Sequence, residues 1–534
     1  MEKLLQFESG SSMTGVVALG VLMIVSVLLL LLQGRKNGTL PPGPRPAWPV
    51  LGNFPALMGG QMPFLTLHKL SAQFGPLMYL RLGSVPCVVI SSSEVAKEVL
   101  QVKGASFAGR PKRYGPAVIA GTSDFKNISL APPGPYWRQL RKSCTHELFS
   151  PSRLASYEGA RTDEIRIMLK ELLIDSKKGD AVDVRGWLTG VTANNITRML
   201  IKKRFFGKGP DINQEQKKDF ERLIYRIYDE ASAFLISDYI PYLQFVTELQ
   251  GWTSRFKDIR NELTSTLLPR IFEVEKHKQR AKERELSGDS DSDYVPDFVD
   301  LLVGAPLDDG KPLSDNDISM MLTDLFLGAR GTSATTAEWA LAEFVIRPEL
   351  MKRAQDELDT VVGKDRLLRE SDLPHLHYLN AFVKEIFRFR PPAPFGIPRE
   401  STRACEVLGY SIPAHALVLV NQYSVHRDPS VYRNPNEFDP ERFMEQPEVN
   451  HLSGVDFFQL IPFGAGLRTC PGNKLGNLLV LLMLGNLLHH FDWSLPPGEC
   501  ADSFDMSGVY TFVCSRKKPL FLIAKPRSPA LLLG

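Results

Sequence analysis

One cysteine, Cys470, lies in a glycine-rich stretch that could hold its sulfur in an unusual chemical state. Residues 462–472 read Pro-Phe-Gly-Ala-Gly-Leu-Arg-Thr-Cys-Pro-Gly. The glycines at 464, 466 and 472 allow tight turns that bring backbone N–H groups toward the sulfur, and such donors favour a thiolate. Arg468 supplies a fixed cation suited to a carboxylate partner. A dry thiolate of this kind is a ligand for iron.

The spacing Phe-x-x-Gly-x-Arg-x-Cys-x-Gly resembles the haem-binding signature of the cytochrome P-450 family. It is formed here by Phe463, Gly466, Arg468, Cys470 and Gly472. The resemblance implies a monooxygenase that binds haem b, with Cys470 as the axial ligand of the iron and Phe463 covering the sulfur side of the ring. It also implies that one oxygen atom from O2 enters the substrate, and that NADPH supplies electrons indirectly through a reductase.

Two further motifs resemble parts of the family that contact the haem propionates. Trp137 and Arg141 form a Trp-x-x-x-Arg pattern, whose spacing places both side chains on one face of a helix. The resemblance implies that both contact a propionate. The pair Pro398-Arg399 is similar to a segment that carries another propionate-contacting arginine.

Glu385 and Arg388 match the Glu-x-x-Arg helix of the family, and Arg442 lies in a Pro-Glu-Arg-Phe segment that resembles the one joining that pair. The resemblance implies a buried structural cluster of these three residues behind the haem loop. Removal of any member would leave an uncompensated buried charge.

The long helix that crosses the distal haem face departs from the family pattern. The chain reads Gly328-Ala-Arg-Gly331-Thr332, with Gly331 where the family usually carries an acid. Gly328 and Thr332 share a helix face, whereas Arg330 lies about 200° from Gly328. Gly328 would leave room for dioxygen, and Thr332 could hydrogen-bond the bound oxygen and pass on a proton.

Three functions remain open, and the missing carboxylate bears on the first two. The first is monooxygenation with water or a substrate hydroxyl as the proton relay. The second is a haem-thiolate isomerase or dehydratase, which needs neither NADPH nor O2. The third is a non-catalytic haem-binding protein.

These residues must be positioned by a fold that is mainly α with small β-sheets. Strand-like runs occur at 77–82 and 87–90, helical periodicity at 161–173, 317–345 and 475–488, and alternation near 512–523 predicts a late hairpin. The resemblance implies a cytochrome P-450 fold, as one catalytic domain over residues 54–534, preceded by a single transmembrane helix.

Residues 10–32 carry no charge and are long enough to cross about 30 Å of hydrocarbon as a helix. We therefore expect a membrane anchor at 1–34 and a basic, proline-rich hinge at 35–53. Arg35 and Lys36 favour a cytosolic body. Similarity to the plant-type microsomal branch of the family implies a single-pass protein of the endoplasmic reticulum membrane.

Composition limits the partners. Lys plus Arg number 63 and Asp plus Glu 60, so the net charge of +3 gives no reason to expect a nucleic acid. The six cysteines show no Cys-x-x-Cys spacing, which argues against a zinc site or a disulfide framework. The expected partners are a reductase, the lipid bilayer and a small lipophilic substrate.

The segments expected to line the substrate pocket are largely apolar and lie at 106–130, near Gly328, at 393–397 and at 509–512. Such a pocket suits a small lipophilic or aromatic molecule. A basic patch is expected to face the acidic reductase. Its candidate residues are Arg138, Lys142 and Lys474.

Overall fold

The computed structural model describes residues 39–45, 47–58, 60–120, 125–207, 212–231, 233–265, 273–287, 296–304, 313–511 and 513–527. The predicted anchor at 1–34 lies outside these ranges. Within them, no helix combines the length and apolarity that a membrane span requires. The described part of the predicted hinge packs on the body, because the Pro42 carbonyl accepts a hydrogen bond from the Tyr79 N–H at 2.8 Å.

The described chain is mainly helical, as expected. The helices are α1 Phe54–Leu57, α2 Pro63–Phe74, α3 Ser93–Lys97, α4 Tyr114–Ala120, α5 Pro135–Ser143, α6 Pro151–Ser156, α7 Glu158–Ser176, α8 Val184–Ile201, α9 Gln214–Ala231, α10 Gln244–Leu249, α11 Trp252–Glu262, α12 Val274–Ser287, α13 Phe298–Gly304, α14 Asp315–Val345, α15 Pro348–Val361, α16 His377–Phe389, α17 Gln422–Val425, α18 Glu441–Glu445 and α19 Asn473–His490. Short 3-10 and π turns join several of them.

The strands are short. They are β1 Leu77–Leu82, β2 Val85–Ile90, β3 Val182–Asp183, β4 Arg399–Glu400, β5 Cys405–Val407, β6 Tyr410–Ile412, β7 Leu417–Val420, β8 Phe491–Ser494, β9 Gly508–Tyr510, β10 Cys514–Arg516 and β11 Phe521–Pro526. One sheet has the order β1-β2-β7-β4, and a second has the order β3-β11-β8. Two hairpins, β5–β6 and β9–β10, complete the set among the described residues.

The long helix α14 organises the core. Ser314 caps its N-terminus by accepting a hydrogen bond from the Asp317 N–H, while the Asp317 carboxylate accepts one from the Ser314 N–H. Its 31 residues contain no proline, and Pro348 begins the next helix. Most of its second half is buried, where it packs against α8 and α19.

The structure corrects the predicted late hairpin. The hairpin spans Gly508–Tyr510 and Cys514–Arg516, whereas Phe521–Pro526 pairs with Phe491–Ser494 in a different sheet. Alternating apolar residues identify a strand, but they do not identify its partner. The early strand at Leu77–Leu82 is confirmed, and the next strand begins at Val85, two residues before the predicted start.

Candidate active site

Cys470 lies in the loop that joins the 3-10 turn Gly466–Arg468 to α19. Its backbone N–H donates to the Phe463 carbonyl at 2.9 Å, and the Gly472 N–H donates to its sulfur. Burial raises the pKa of the Cys470 thiol, while the Gly472 N–H and the nearby Arg141 lower it. The loop therefore gives the half-buried Cys470 a backbone donor and a nearby cation, both placed to stabilise the ionised sulfur.

Backbone geometry explains two glycines of this loop, because Gly464, at φ +69°, and Gly466 both adopt the left-handed conformation. Gly466 has φ +67°, and a Cβ added there would lie 1.9 Å from the Leu100 carbonyl oxygen, so no side chain fits. Gly472 differs from expectation, because its φ of −94° is open to any residue. Its contribution is the N–H that faces the sulfur of Cys470 rather than a special turn.

Phe463 packs beside the loop between two helices. Its ring lies 5.2 Å from the Phe387 ring of α16, in an edge-to-face arrangement. A Cβ at Gly476 of α19 would come within 3.3 Å of the same ring. Phe463 thus fills the space at the start of α19 next to the cysteine loop.

The buried surface of helix α14 has an open stretch at Gly328. Gly328 is exposed, Gly331 and Thr332 are half-buried, and a Cβ at Gly328 would meet nothing within 4 Å. The Thr332 hydroxyl donates to the Gly328 carbonyl at 2.9 Å. The neighbouring Ser333 hydroxyl donates to the Gly476 carbonyl at 3.4 Å, which places the open stretch beside the cysteine loop.

Arg330 points to the other side of α14, as helix geometry predicts. The residue is 5% exposed, and its guanidinium lies 5.9 Å from the Phe206 ring and 5.2 Å from the Tyr225 ring. Its carbonyl accepts a hydrogen bond from the Thr192 hydroxyl of α8 at 2.7 Å. Arg330 is therefore directed toward α8 and α9 and away from the open face.

Arg399 and Arg468 bring two buried cations close together. An amino group of Arg399 donates to the Ala465 carbonyl at 2.8 Å, while its Nη1 is buried without a partner in the described structure. Arg468 donates to the carbonyls of Ala108 at 3.0 Å and Ala131 at 2.6 Å. All of these acceptors are neutral, so the positive charges are not offset by them.

The pKa values of these two arginines also reflect positive charge that no nearby carboxylate neutralises. Burial lowers the pKa of Arg399 to about 10. Burial, followed by repulsion from Arg399 and Arg141, lowers the pKa of Arg468 to about 9. Within the described ranges, neither Arg399 nor Arg468 forms an ion pair with a carboxylate. The site is therefore suited to a group that brings its own negative charges.

Comparisons with known proteins agree with this geometry. The sequence profile of the family described as Cytochrome P450 matches residues 41–523. The chain belongs to the cytochrome P450 family.

Relatives with curated names are similar over almost the whole chain. Flavonoid 3'-monooxygenase CYP75B137 from Crocosmia x crocosmiiflora is 37% identical, over 95% of this chain and 97% of the relative. Trimethyltridecatetraene synthase from Zea mays is 36% identical, over 97% of this chain and 95% of the relative. A solved zebra fish cytochrome P450 with abiraterone has a TM-score of 0.67 at 25% identity, covering 87% of this chain and all of that one.

Membership of the P450 family fixes the class of enzyme and its cofactors. The chain is a haem-thiolate monooxygenase that uses haem b and receives electrons from NADPH indirectly through a reductase. The relatives support a role in specialised metabolism, and they do not favour an isomerase, a dehydratase or a non-catalytic haem-binding protein. The P450 fold, mainly helical with small sheets, is also confirmed.

The residues of this P450 fit haem. Haem b carries an iron that accepts a thiolate ligand. It also carries two propionates, which are negatively charged. Cys470 offers the thiolate. Arg399, with its unpartnered Nη1, and Arg468 form a cationic cluster that two propionates would neutralise.

Trp137 and Arg141 take different positions around this cluster. The Trp137 indole N–H donates to the Ile128 carbonyl at 3.0 Å, so it is already engaged within the protein. Arg141 is half-buried, and the pKa of its guanidinium is lowered by burial and raised by the nearby Cys470 and Cys144. Arg141 is therefore close enough to Cys470 for the two groups to influence each other's pKa.

The structure brings Glu385, Arg388 and Arg442 together in the core. Arg388 donates to both Glu385 oxygens at 2.6 and 2.7 Å, and both side chains are fully buried. Arg442 Nε lies 3.6 Å from the same carboxylate. Arg388 also donates to the Glu437 carbonyl at 2.7 Å, and the Asp439 N–H donates to Glu385 at 2.8 Å. The cluster ties α16 to the segment before α18.

Two residues of this region were not singled out from the sequence. Arg110 is half-buried near Arg399 and Arg468, and repulsion from both of them adds to desolvation in lowering its pKa. Asp324, one turn before Gly328, accepts hydrogen bonds from the loop around Ser129. Both contacts join segments far apart in the chain, so no local spacing could have identified them.

The expected pocket segments are only partly described. Residues 121–124 and 512 fall outside the described ranges. Tyr510 packs edge-on against Phe64 and Phe395, with ring centres 5.7 and 5.9 Å away, which accounts for its position in the apolar core.

Proposed function

We propose that this P450 hydroxylates a small lipophilic or aromatic substrate at a site between Gly328 of α14 and Cys470. The observation that carries the proposal is the open stretch at Gly328 and Thr332, set beside the cysteine loop through the Ser333–Gly476 contact. This face offers space over a helix whose second half is otherwise largely buried. The proposal combines that space with the one described thiol that has both a backbone donor and a nearby arginine.

Each side chain has a physical task in this proposal. Bound haem supplies oxygen activation by its iron, and Cys470 supplies the axial thiolate. Arg399 and Arg468 neutralise the propionates and fix the ring. Gly328 leaves space for the reacting groups, and Thr332 holds a hydroxyl at the same face, where it can orient a proton donor.

The ligand assignment is tested by replacement of Cys470. Cys470→Ala should abolish the red-shifted Soret band that a thiolate-ligated ferrous–CO complex shows. Cys405→Ala is the matched control, because Cys405 is half-buried in the separate hairpin β5–β6 and its replacement should leave the band intact. Retention of the band in Cys470→Ala would disprove the assignment.

The names of the relatives help to narrow the proposed substrate class. The relatives are named for flavonoid hydroxylation and for trimethyltridecatetraene synthesis, at nearly the same identity. We propose a phenolic or terpenoid-like substrate, and a panel of flavanones and acyclic terpenoids incubated with NADPH and a reductase tests it. Incorporation of one atom of labelled O2 into a product is expected, and turnover without NADPH would contradict monooxygenation.

We propose that the reductase docks on the basic patch of Arg138, Lys142 and Lys474, whose side chains are all exposed. Arg138 and Lys142 lie on α5 and Lys474 on α19, the two helices that flank the cysteine loop. Complementary charge steers association with an acidic partner. Lys142→Glu should weaken reductase affinity at low salt, whereas Lys257→Glu on α11 should not. Equal reductase affinity of the two variants would rule out this patch as the docking site.

We propose that residues 1–34 anchor the protein in the endoplasmic reticulum membrane as a single span, that 35–53 form the hinge and that 54–534 form a cytosolic catalytic domain. An exposed apolar surface supports membrane contact. It joins two segments that are distant in sequence, because the ring centre of Phe54 lies 5.4 Å from that of Phe234 and 5.1 Å from that of Tyr239. The exposed members of this surface are Trp48, Leu51, Met58, Phe234, Tyr242, Phe245 and Leu249.

Membrane attachment is tested with the full chain in microsomes. Alkaline carbonate should leave the full chain in the membrane, whereas deletion of residues 1–34 should release it. Trp48→Ser combined with Leu249→Ser should further reduce flotation of the shortened protein with phospholipid vesicles. Complete release of the full chain by carbonate would contradict a spanning anchor.

A further inference from the structure

The carboxylate of Asp324 binds a loop that precedes α5. One oxygen accepts the Ser129 N–H at 2.8 Å, and the other accepts the Ser129 hydroxyl at 2.8 Å and the Asn127 amide at 3.1 Å. The Asn127 side chain is buried, and its Oδ1 has no partner in the described structure. The amide of Asn127 is therefore oriented by its contacts with Asp324 and Ser129.

The same loop is tied to a third segment through Arg110. The Arg110 Nε donates to the Ser129 carbonyl at 2.8 Å. Its Nη1 donates to the carbonyls of Ile397 at 2.6 Å and Pro398 at 2.9 Å. Ser129 thus bonds α14 through its N–H and Arg110 through its carbonyl, and Arg110 in turn bonds the segment just before the strand that begins at Arg399.

The other end of the loop is held by the cationic cluster. The Ile128 carbonyl accepts the Trp137 indole N–H, and the Ala131 carbonyl accepts Arg468 at 2.6 Å. A loop of five residues, 127–131, is therefore bound on one side by the haem-facing arginine and on the other by Asp324. Asp324 is the only one of these anchors that comes from α14.

Asp324 also lies on the face of α14 that opens at Gly328. Residues four apart in a helix share a face and are separated by about 6 Å along the axis. The half-buried Asp324 is four residues before Gly328, and Thr332 is four residues after it. The loop held by Asp324 therefore borders the open stretch.

We propose that Asp324 is a positioning residue that holds loop 127–131 against α14 and so sets the pocket wall next to Gly328. The inference rests on the proposed function, because the pocket wall matters only if substrate binds at this face. The role is hydrogen-bond acceptance, because the two carboxylate oxygens accept three hydrogen bonds from the loop. Loss of the Asp324 carboxylate oxygens should make loop 127–131 more mobile, whereas loss of the negative charge alone should not.

Three variants separate these possibilities. Asp324→Ala removes both acceptors, and Asp324→Asn keeps one carbonyl oxygen in place for the Ser129 N–H. Thr323→Val is the matched control, because Thr323 is buried next to Asp324 but its hydroxyl donates only to the Ser319 carbonyl of the same helix, at 2.9 Å. All three are made in the full-length holoprotein.

Hydrogen exchange measures the loop without reference to turnover. Asp324→Ala should speed amide exchange in residues 125–131 at least tenfold, with the rest of α14 unchanged, whereas Asp324→Asn and Thr323→Val should stay close to the native rate. Unchanged exchange of this loop in Asp324→Ala would overturn the proposal. If Asp324→Ala yields no folded protein, Ser129→Ala, which loses one bond and keeps the backbone N–H, should show a smaller increase in the same segment.

Ligand binding tests whether the loop is a wall of the pocket. Imidazole and 4-phenylimidazole both bind ferric haem iron, but only the phenyl ring extends far enough to meet a pocket wall. Asp324→Ala should raise the Kd of 4-phenylimidazole about 5- to 30-fold while the Kd of imidazole changes less than twofold. Equal changes for both ligands would indicate a general loss of haem geometry and would overturn the positioning role.

The outcome is distinguishable from failure of the proposed function. A wild-type protein without a thiolate-type ferrous–CO band would disprove the role of Cys470 before any Asp324 variant is compared. A normal band combined with unaltered exchange and 4-phenylimidazole affinity in Asp324→Ala would disprove only the role of Asp324.

Discussion

The guanidinium of Arg468 lies over the indole of Trp137, 4.2 Å from the ring centre. Both side chains also reach the same acceptor, since the Ile128 carbonyl receives the Trp137 N–H at 3.0 Å and Arg468 Nη1 at 3.4 Å. Stacking on an aromatic face fixes the plane of a guanidinium. Trp137 thereby orients the cation that precedes Cys470 by two residues.

Replacement of Arg468 by lysine should weaken haem retention. A lysine cannot stack in a plane and serve the carbonyls of Ala108 and Ala131 at once, so about 1–3 kcal/mol of hydrogen bonding is lost. We expect haem to leave roughly 5- to 100-fold faster, measured by its transfer to apomyoglobin. Arg403→Lys, at an exposed arginine bonded to the Ser106 hydroxyl, is the control and should be neutral.

Removal of one charge from the buried pair should be far more costly than removal of the pair. Glu385→Leu strands the buried Arg388 and should reduce the free energy of unfolding by about 3–5 kcal/mol. Glu385→Leu with Arg388→Leu should recover part of this loss, in a urea titration of each protein. Glu441→Gln, which breaks the exposed pair with Arg353, should cost less than about 1 kcal/mol. Equal costs for Glu385→Leu and Glu441→Gln would contradict the burial argument.

Two glycine substitutions should have opposite effects on folding. Gly328→Ala adds a methyl group where nothing lies within 4 Å and should stabilise α14 by up to about 1 kcal/mol. It should nevertheless lower kcat/KM about tenfold or more, because the methyl group enters the reacting space beside Thr332. Gly466→Ala would press against the Leu100 carbonyl and should prevent stable haem loading, seen as a low ratio of haem to protein.

The acid missing at Gly331 can be restored. Gly331→Asp places a carboxyl one residue before Thr332, on a half-buried stretch of α14. If proton supply limits the enzyme, the fraction of NADPH converted into product should rise about 2- to 10-fold. Lost activity with unchanged haem content would instead indicate that a proton path without this acid has been disrupted. Gly331→Ala controls for the change in helix propensity.

The carboxyl of Asp324 should make stability depend on pH. Burial raises its pKa to about 6, while bonds from Ser129 and Asn127 and the charge of Arg110 act in the lowering direction; the thiol of Cys144 also lies near it. Because the folded-state pKa is raised, the favourable contribution is full below the unfolded pKa near 4 and is lost as pH rises through 6.

Asp324→Asn removes this titration. We therefore expect the variant to gain stability relative to wild type by about 1–3 kcal/mol at pH 7.5 and by less at pH 5. Thermal unfolding of both proteins at the two pH values measures the difference. A difference independent of pH would show that Asp324 does not titrate in this range.

Local patterns were sufficient for the features that depend on neighbouring residues. The spacing around Cys470 contains Gly466, Arg468 and the backbone N–H of Gly472, all within four residues of the cysteine. The cation that acts on the sulfur, Arg141, comes from a distant segment. Helical periodicity also located α14 and the opposite directions of Gly328 and Arg330, because 3.6 residues per turn is a property of the backbone.

Contacts between distant segments could not be derived in this way. The bond from Arg399 to Ala465, the stacking of Arg468 on Trp137 and the hold of Asp324 on Ser129 join residues separated by at least 66 positions. The late hairpin was misplaced for the same reason, since Phe521–Pro526 pairs with Phe491–Ser494. A sequence records which side chains are available, but the pairing of segments depends on how the whole apolar core packs, and that packing is a property of the folded chain.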